Sequence, residues 1–343
     1  DFWAQYDHMY IPELGHNVSV TDYAHTLYIR ASWTDFNPQE DVYGWKIDSN
    51  LKAYIEGAYQ RNMRLAFRVV VDSRDKRTEF TPQFVKDAGA KGFMNKGKWS
   101  PYSDDPVFQK YYTKFVKALA KDFNDPSKVE FIDGFGLGKW GEYHTMIYST
   151  GDDTPKKAVF DWVTDIYSQV FDKVPVVINY HRWIGAGKDW VDDEHFAVDS
   201  EEMLEEAIKK GYSLRHDAFG MTTYYGSWER RFAEKYRNIC PIIMEGGWIV
   251  KSHSYWQDPR GYRKDSHEDV RRGEFDDSKE AHVNMMDFRF GDTESWFKDA
   301  FDLVRRFLRE GGYRLYPSEI SLPLEVSKKT TPTIKHCWNN LGW

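Results

Sequence analysis

Seven runs of apolar residues recur along the chain, and each has the length of a buried strand. They cover residues 26–33, 64–71, 129–136, 174–180, 218–225, 241–246 and 282–290. Near-continuous apolar runs of this kind are typical of parallel strands that are covered on both faces. The pattern therefore predicts a buried parallel sheet.

Helical patterns lie between the apolar runs. In the clearest one, residues 295–312, apolar side chains recur at helical spacing and two glycines end the pattern. Further helical patterns cover residues 47–59, 106–121, 159–171 and 228–237. This regular alternation of strands and helices predicts an α/β fold built from βα units.

Seven strands need one more to close a (β/α)8 barrel, the TIM-barrel fold. The weak apolar pattern of residues 1–13 is the candidate for this eighth strand, which would come first in the chain. A doubly wound open sheet is the alternative, but no glycine-rich phosphate loop follows an early strand, as that fold would favour. We therefore predict a TIM barrel over residues 1–315.

The character of the sequence changes after Gly312. Residues 316–343 are rich in proline and β-forming residues and have no helical period. We predict that this tail forms β structure packed on the barrel, as the opening strands of a sandwich-like C-terminal domain. About 30 residues are far fewer than the roughly 100 of a complete sandwich, so the tail is expected to be part of an accessory β domain.

Composition narrows the classes of function. The formal charge is −7, and aromatic residues make up 17% of the chain, many of them in polar loops. Interspersed charges with an acidic balance argue against nucleic-acid binding, which requires a basic patch. No apolar run approaches the roughly 18 residues of a membrane span. Exposed aromatic rings favour stacking on sugar rings, so the expected partner is a carbohydrate.

The sequence gives no indication of an oligomeric state, and its first residue is Asp1. Removal of a signal peptide would favour a secreted or periplasmic location. The histidines lack the spacing of metal ligands, so we predict neither a metal ion nor a cofactor.

Two glutamates mark the expected functional end of the barrel, because functional residues of this fold lie at the carboxyl ends of its strands. Glu142 ends G-L-G-K-W-G-E, and Glu245 ends I-I-M-E. With the eighth strand counted first, they follow strands four and seven, which face each other across the barrel mouth. Two such carboxyls are what glycoside hydrolysis requires. The alternatives are a surface glutamate for Glu142 and an arginine-paired structural carboxylate for Glu245.

Two stretches of the sequence resemble the clan A glycoside hydrolases, and the β-galactosidase-like members most closely. One is Y-I-R-A-S-W-T-D-F-N-P-Q-E-D-V-Y-G-W-K-I-D, which has Asp41 where the family commonly has glycine. It matches the family pattern at Trp33, Pro38, Tyr43, Trp45 and Asp48. The other stretch is E-F-I-D-G-F-G-L-G-K-W-G-E-Y-H. It is similar to a branch of the family with G-x-W-G-E-x-H at the end of strand four, in which Gly141 replaces the usual asparagine. The resemblance covers about residues 20–315, and the tail is similar to the accessory β domain of that branch.

This resemblance implies a retaining enzyme in which Glu142 is the acid/base and Glu245 is the nucleophile. The carboxyl groups of a retaining enzyme lie about 5 to 5.5 Å apart, whereas an inverting enzyme needs roughly 6.5 to 9.5 Å. We therefore expect the shorter separation, with both glutamates at the same end of the barrel.

Other residues at the strand ends are candidates for substrate binding. The predicted set is Arg30, Trp33, Arg68, Trp140, His144, Asn179, His181, Tyr224, Tyr225 and Trp248. Arg30 and Arg68 either contact the substrate or hold a carboxylate in place, and an arginine beside the nucleophile lowers its pKa. Asn179 and His181 are candidates for hydrogen bonds to sugar hydroxyls.

The aromatic candidates have structural alternatives. Trp140 and Trp248 are either stacking platforms or ordinary core residues, and Tyr224 or Tyr225 is expected to orient Glu245. The long charged and aromatic segment 251–275 is expected to form a lid or a subsite wall. The rival hypothesis is a non-catalytic carbohydrate-binding barrel, against which the two glutamates argue. A nucleotide-dependent α/β enzyme would need a phosphate loop that the sequence lacks.

Overall fold

The computed structural model describes residues 2–74, 76, 78–187, 194–221, 224–247, 267–289, 293–329 and 331–343. Its strands are β1 (Met9–Ile11), β2 (His16–Val18), β3 (Thr26–Ser32), β4 (Arg64–Val70), β5 (Gly92–Asn95), β6 (Lys98–Pro101), β7 (Val129–Asp133), β8 (Val176–Asn179), β9 (Ser213–Phe219), β10 (Ile242–Gly246), β11 (Met285–Asp287), β12 (Leu315–Ser321) and β13 (Lys335–Asn340). Its helices are α1 (Ala4–Asp7), α2 (Trp33–Phe36), α3 (Asn50–Gln60), α4 (Gln83–Asp87), α5 (Pro106–Phe123), α6 (Lys156–Val170), α7 (Glu194–Lys209), α8 (Ser227–Tyr236), α9 (His267–Glu280), α10 (Thr293–Asp299) and α11 (Phe301–Glu310).

Seven of these strands form one sheet in the order β11-β10-β9-β8-β7-β4-β3. Every adjacent pair in the sheet is parallel, and helices lie between successive strands along the chain. Parallel strands joined through helices, with both faces of the sheet buried, are the architecture of a β/α barrel. The fold class predicted from the alternation of apolar runs and helical patterns is confirmed.

Six of the seven predicted runs contain a barrel strand, and the remaining strand begins earlier than expected. β9 starts at Ser213, whereas the sequence pattern predicted a start at residue 218. The early part of this strand carries Arg215 and Asp217, two charged residues that break the apolar pattern. Their side chains are only 0% and 4% exposed, and other charged side chains pair with them.

Residues 1–13 do not supply the eighth strand, so that prediction is wrong. α1 and β1 occupy this segment, and β1 pairs antiparallel with β2, with Met9 opposite Val18. Gly15 lies between the two strands with a φ of 69°, a left-handed conformation that glycine adopts freely in tight turns. Within the described residues, the sheet therefore ends at β3 on one side and at β11 on the other.

Two apolar clusters hold the barrel together. The larger one lies between the sheet and the helices and is rich in aromatic rings. At its centre, the fully buried Trp33 ring lies 5.2 to 6.4 Å from the rings of Phe84, Phe108, Tyr112 and Phe115. The smaller cluster consists of buried residues on the barrel strands: Ala66, Phe131, Val177 and Ile243. Across the described part of the chain, no helix combines the length and the apolar character that crossing a membrane requires.

The tail forms β structure and not a further helix, as predicted. β12 pairs antiparallel with β13, from Leu315 opposite Asn340 to Ser321 opposite Lys335. Every residue of both strands is exposed, so the expected packing of these strands on the barrel is not observed. Trp343 anchors the end of the tail, and its ring lies 5.5 Å from the ring of Phe275. The domain boundary near residue 315 stays a prediction.

Candidate active site

A layer of polar side chains lies at the carboxyl ends of the barrel strands, next to the smaller apolar cluster. Because side chains alternate along a strand, the residue two positions after an inward-facing one also faces inward. On β4, for example, Ala66 belongs to the inner cluster and Arg68 follows two residues later. This polar layer consists of Arg30, Arg68, Asp133, Asn179, Asp217, Glu245 and Asp287, one residue from each strand.

Glu142 reaches the polar layer from the loop that follows β7. Three non-glycine residues around it have positive φ angles: 58° at Trp140, 61° at Tyr143 and 51° at Thr145. Non-glycine residues rarely adopt this conformation, and such strain persists where the surrounding structure enforces it, often at functional sites. The strained backbone supports a functional role for the loop that carries Glu142.

The glycines before Glu142 allow the loop to pass close to β4. Gly136 has a φ of 71°, and a Cβ atom there would lie 1.9 Å from the carbonyl oxygen of Val69. Gly141 has a φ of 76°, and its Cβ would lie 3.3 Å from the side chain of Arg68. The glycine-rich sequence is therefore explained by close backbone approach, which a side chain would prevent.

The carboxyl group of Glu142 contacts cationic or titratable groups on both sides. Arg30 donates from Nη2 to Oε1 at 3.0 Å, and His144 places Nε2 3.4 Å from Oε2. Arg68 adds a weaker contact, with Nη1 3.8 Å from Oε1. These contacts fix the orientation of the carboxyl group at the barrel mouth.

His181 supports the backbone of Glu142. Its Nε2 lies 2.7 Å from the carbonyl oxygen of Glu142, and its Nδ1 lies 3.1 Å from the amide nitrogen of Trp183. Burial lowers the pKa of His181 well below its usual value, and the neighbouring His144 lowers it further. The His181 ring is therefore neutral. The neutral tautomer that fits both contacts donates from Nε2 and accepts at Nδ1.

Glu245 is more deeply buried and contacts three arginines. Arg215 donates from Nη2 to Oε2 at 2.6 Å, while Arg30 and Arg289 lie 3.7 and 3.6 Å from Oε1. Burial, and then the Asp217 carboxylate, raises the pKa of Glu245 to about 7, against the opposing effect of Arg215 and Arg30. Near neutral pH, the charge of Glu245 therefore depends on these arginines.

One guanidinium group joins the two glutamates. Arg30 contacts Glu142 through Nη2 and Glu245 through Nη1. Both carboxyl groups thus lie at the same end of the barrel, as predicted from their positions after the fourth and seventh expected strands. The side chain of Glu142 is 14% exposed and that of Glu245 is 5% exposed, so Glu142 is the more accessible to solvent. The expected separation of about 5 to 5.5 Å between the carboxyl groups stays a prediction.

A buried ion-pair network, which the sequence reasoning missed, lies beside the glutamates. Arg68 pairs with Asp133 at 2.5 Å and also with Asp217. Arg215 donates from Nε to Asp217 at 2.9 Å, and the Tyr28 hydroxyl donates to Asp133 at 3.0 Å. Removing one member of a buried pair leaves an uncompensated charge and is costly. The network therefore holds Arg68 and Arg215 in place next to the glutamates.

Trp33 and Tyr225 correct the predicted substrate-binding set, since both are core residues. Trp33 begins α2, which Ser32 caps, and its ring is fully buried among the aromatic rings of the larger cluster. Tyr225 is 1% exposed, its ring stacks 4.3 Å from Phe219, and its hydroxyl accepts a hydrogen bond from Tyr180. A bound sugar would not reach either ring in this arrangement.

The remaining candidates differ in their placement. Asn179 belongs to the polar layer, and its buried Oδ1 has no hydrogen-bond partner among the described residues. Trp140 is half-buried, with its ring 5.6 Å from that of His144, and Tyr224 is half-buried as well. Trp248 lies outside the described residues. Asn179 and Trp140 therefore stay candidates for substrate contact.

The segment predicted as a lid overlaps helix α9. Residues 251–266 of the expected lid lie outside the described residues, and residues 267–275 belong to α9. In the part of the chain that the structure describes, no group of three or more histidine, cysteine, aspartate or glutamate residues is arranged to hold a metal ion.

Comparison with known proteins gives similarity at the level of the fold. No protein-family model and no curated protein matches the sequence. The structure is similar to that of xylanase 10B from Thermotoga maritima, with 14% identity, a TM-score of 0.46, and coverage of 76% of this chain and 73% of that one. It is also similar to endo-glycoceramidase II from Rhodococcus sp., with 15% identity, a TM-score of 0.49, and coverage of 93% and 80%. At such identities and scores, the neighbours do not define an activity.

Proposed function

We propose that the protein is a retaining glycoside hydrolase that cleaves an oligo- or polysaccharide through Glu142 and Glu245. The observation that carries this proposal is the contact of a single guanidinium, that of Arg30, with both carboxyl groups at the carboxyl end of the barrel strands. A pair of carboxyl groups flanking one pocket is the common requirement of glycoside hydrolysis. The sequence resemblance around Trp33 and Glu142 makes a β-galactoside the first substrate to test.

The surroundings of the two glutamates favour different roles. Arg215, Arg30 and Arg289 surround Glu245 and stabilise its ionised form, which a nucleophile requires. Glu142 is more exposed and lies on the mouth loop beside His144. This position suits a group that exchanges protons with a leaving group and with water.

The proposed reaction has two steps. In the first, Glu142 donates its proton to the glycosidic oxygen while a carboxylate oxygen of Glu245 attacks the anomeric carbon. The glycosidic bond breaks, the first product leaves, and the sugar remains as an ester of Glu245. In the second step, ionised Glu142 takes a proton from water, whose oxygen attacks the anomeric carbon and releases Glu245. Two inversions at the same carbon retain its configuration.

Arg30 and Arg215 stabilise charge during this cycle. Arg30 contacts both glutamates, so it stays next to an ionised carboxylate before and after the proton leaves Glu142. Arg215 donates to Glu245 and is held by Asp217 and Asp287, so it receives the carboxylate that the second step releases without rearrangement. Hydrogen-bond donors that are already in place before the reaction need not reorganise as charge develops in the transition state. This preorganisation is a main source of catalysis.

The test is a panel of aryl glycosides and polysaccharides with the wild type and the variants Glu142→Gln and Glu245→Gln. Glu142→Gln should lose activity on substrates with poor leaving groups and retain the first step on activated aryl glycosides, which need no proton donor. Glu245→Gln should lose both activities, because no ester can form. Glu130→Gln is the control, since Glu130 lies near the amino end of β7 beside Arg64 and should keep wild-type activity.

Two results would contradict the proposal. Wild-type-like turnover by Glu245→Gln on a confirmed substrate would exclude Glu245 as the nucleophile. Binding of sugars by the wild type in calorimetry, without turnover of any substrate in the panel, would support the rival hypothesis of a carbohydrate-binding barrel.

A further inference from the structure

Two arginines present their guanidinium groups at the opening of the candidate site. Arg30 and Arg289 approach the same atom, Oε1 of Glu245, at 3.7 and 3.6 Å. Both distances are longer than a hydrogen bond, whereas Oε2 of Glu245 accepts a hydrogen bond from Arg215 at 2.6 Å. The guanidinium groups of Arg30 and Arg289 therefore flank the carboxylate oxygen that is left to attack a sugar.

Arg289 has hydrogen-bonding capacity that the described residues do not use. It follows the end of β11 by two residues, and its contact with Glu245 places its side chain on the site. Within the described part of the chain, its guanidinium group makes no hydrogen bond, although arginine has five N–H donors. Arg30 uses one donor nitrogen for its hydrogen bond to Glu142. Both side chains thus have donors available for a ligand.

The same two side chains are more exposed than the carboxylates of the site. Arg30 is 27% exposed and Arg289 is 31% exposed, whereas Asp287, the most exposed carboxylate of the polar layer, is 17% exposed. The deeper aspartates are paired with the buried guanidinium groups of the ion-pair network. A ligand that enters the site therefore meets positive charge first. A cleft whose accessible groups are cationic favours an anionic ligand.

We propose that the site takes an acidic sugar, a uronic acid whose C6 carboxylate binds between Arg30 and Arg289; this inference rests on the proposed function. The planar guanidinium fork of arginine matches the two oxygens of a carboxylate. In a pyranose ring, C6 is attached to C5, which shares the ring oxygen with the anomeric carbon. A C6 carboxylate therefore lies close to the atom that Glu245 attacks, as the two arginines do. The neutral hydroxymethyl group of a galactoside or a glucoside would leave these donors without an anionic partner.

The alternative role of Arg289 is to stabilise ionised Glu245 and to make no contact with the sugar. That role would affect all substrates equally, because all of them react with the same nucleophile. Binding of a sugar carboxylate affects only the substrates that carry one. The ratio of kcat/KM between a uronide and its neutral counterpart therefore separates the two roles.

The experiment compares pairs of aryl glycosides that differ only at C6: a β-galactoside with the β-galacturonide, and a β-glucoside with the β-glucuronide. The wild type should hydrolyse one of the uronides with a kcat/KM at least about tenfold above that of its neutral counterpart. Arg289→Gln removes the charge and should lower this ratio about 10- to 100-fold, as expected for the loss of a charge-assisted hydrogen bond. Arg64→Gln is the matched control, because Arg64 lies at the amino end of β4 beside Glu130, and it should leave the ratio unchanged.

The outcomes separate this inference from the proposed function. Hydrolysis of both neutral glycosides at least as fast as of their uronides, or an equal loss on both members of a pair in Arg289→Gln, would overturn the inference and leave the proposed function intact. A higher kcat/KM for the galactoside 6-sulfate than for the galacturonide would overturn the assignment to a carboxylate.

Calorimetry with the free sugars gives a readout that needs no turnover. Galacturonic or glucuronic acid should bind the wild type more tightly than galactose and glucose do, and Arg289→Gln should lose this difference. That result without turnover of any substrate would support the inference and contradict the proposed function alone. Equal binding of the acidic and the neutral sugars would overturn the inference.

Discussion

Replacing Arg215 by methionine tests how the buried network controls Glu245. Arg215 is fully buried and donates to Glu245 at 2.6 Å, to Asp287 at 2.9 Å and to Asp217 at 2.9 Å. Methionine is unbranched and fills irregular space, but it has no charge and no N–H donor. The carboxylates of Glu245, Asp287 and Asp217 would then have one cation fewer to compensate their negative charges. The pKa of Glu245, which burial has already raised to about 7, should therefore rise further.

The size of this effect follows from the contact distances. A cation at this range lowers the pKa of a carboxyl group by about 1 to 3 units, and each unit corresponds to about 1.4 kcal/mol. Losing Arg215 should thus move the acidic limb of kcat/KM upward by at least about one unit. A shift of one unit would lower the ionised fraction of Glu245 at neutral pH about fivefold. The uncompensated charges should also lower the free energy of unfolding by roughly 3 to 5 kcal/mol.

The assay is the pH dependence of kcat/KM for the wild type, Arg215→Met and the control Arg182→Met. Arg182 forms another arginine–glutamate pair, with Nη1 2.9 Å from both carboxylate oxygens of the buried Glu229. Denaturant unfolding should show that both variants lose stability. The acidic limb should move in Arg215→Met alone. An unchanged limb in Arg215→Met, or an equal shift in both variants, would refute the role of Arg215 in setting the charge of Glu245.

The remaining predictions concern the wild-type pH profile and the loop that carries Glu142. Because Glu245 must be ionised to attack and its pKa is raised to about 7, the kcat/KM of the wild type should increase with pH up to about 7. A flat profile below this pH would contradict the ionised nucleophile. Gly136→Ala places a Cβ atom 1.9 Å from the Val69 carbonyl oxygen at a φ of 71°, so it should lower both kcat and the melting temperature. Gly151→Ala is the control, with a φ of 78° and open space around the new Cβ, and it should lose only the roughly 1 to 2 kcal/mol of the left-handed conformation. Equal effects of the two alanines on kcat would contradict the importance of the close approach at Gly136.

The fold was predictable, and the two glutamates could be selected as candidates, because their signals in the sequence are local. Apolar runs and helical spacing follow from burial on each element. Glu245 lies near the end of β10 beside two glycines, and Glu142 lies in the glycine-rich loop after β7. The eighth strand was predicted wrongly for the same reason: the apolar residues Met9 and Ile11 have a strand pattern, but Gly15 turns the chain so that they pair locally. An alternating apolar pattern indicates that a strand forms, but it does not indicate which other strand it pairs with.

The buried network was not predictable, because it depends on pairs that are distant in the sequence. Arg215 and Asp217 in S-L-R-H-D-A-F have the spacing of a strand, but as charged residues they lie outside the apolar run from which this strand was predicted. Their burial becomes possible only when Arg68 and Asp133 from other strands compensate them. Trp33 shows the complementary error, since its position at a strand end did not reveal that α2 turns its ring into the core.

The formation of a covalent sugar ester on Glu245 tests the central claim most directly. The enzyme would be incubated with an activated 2-deoxy-2-fluoro glycoside of the sugar that the panel identifies, and the digested protein would be analysed by mass spectrometry. The proposed mechanism predicts one added fluoroglycosyl group on the peptide that contains Glu245, and no such group in Glu245→Gln. A label on a different residue, or an active enzyme that inverts the anomeric configuration and forms no ester, would contradict it.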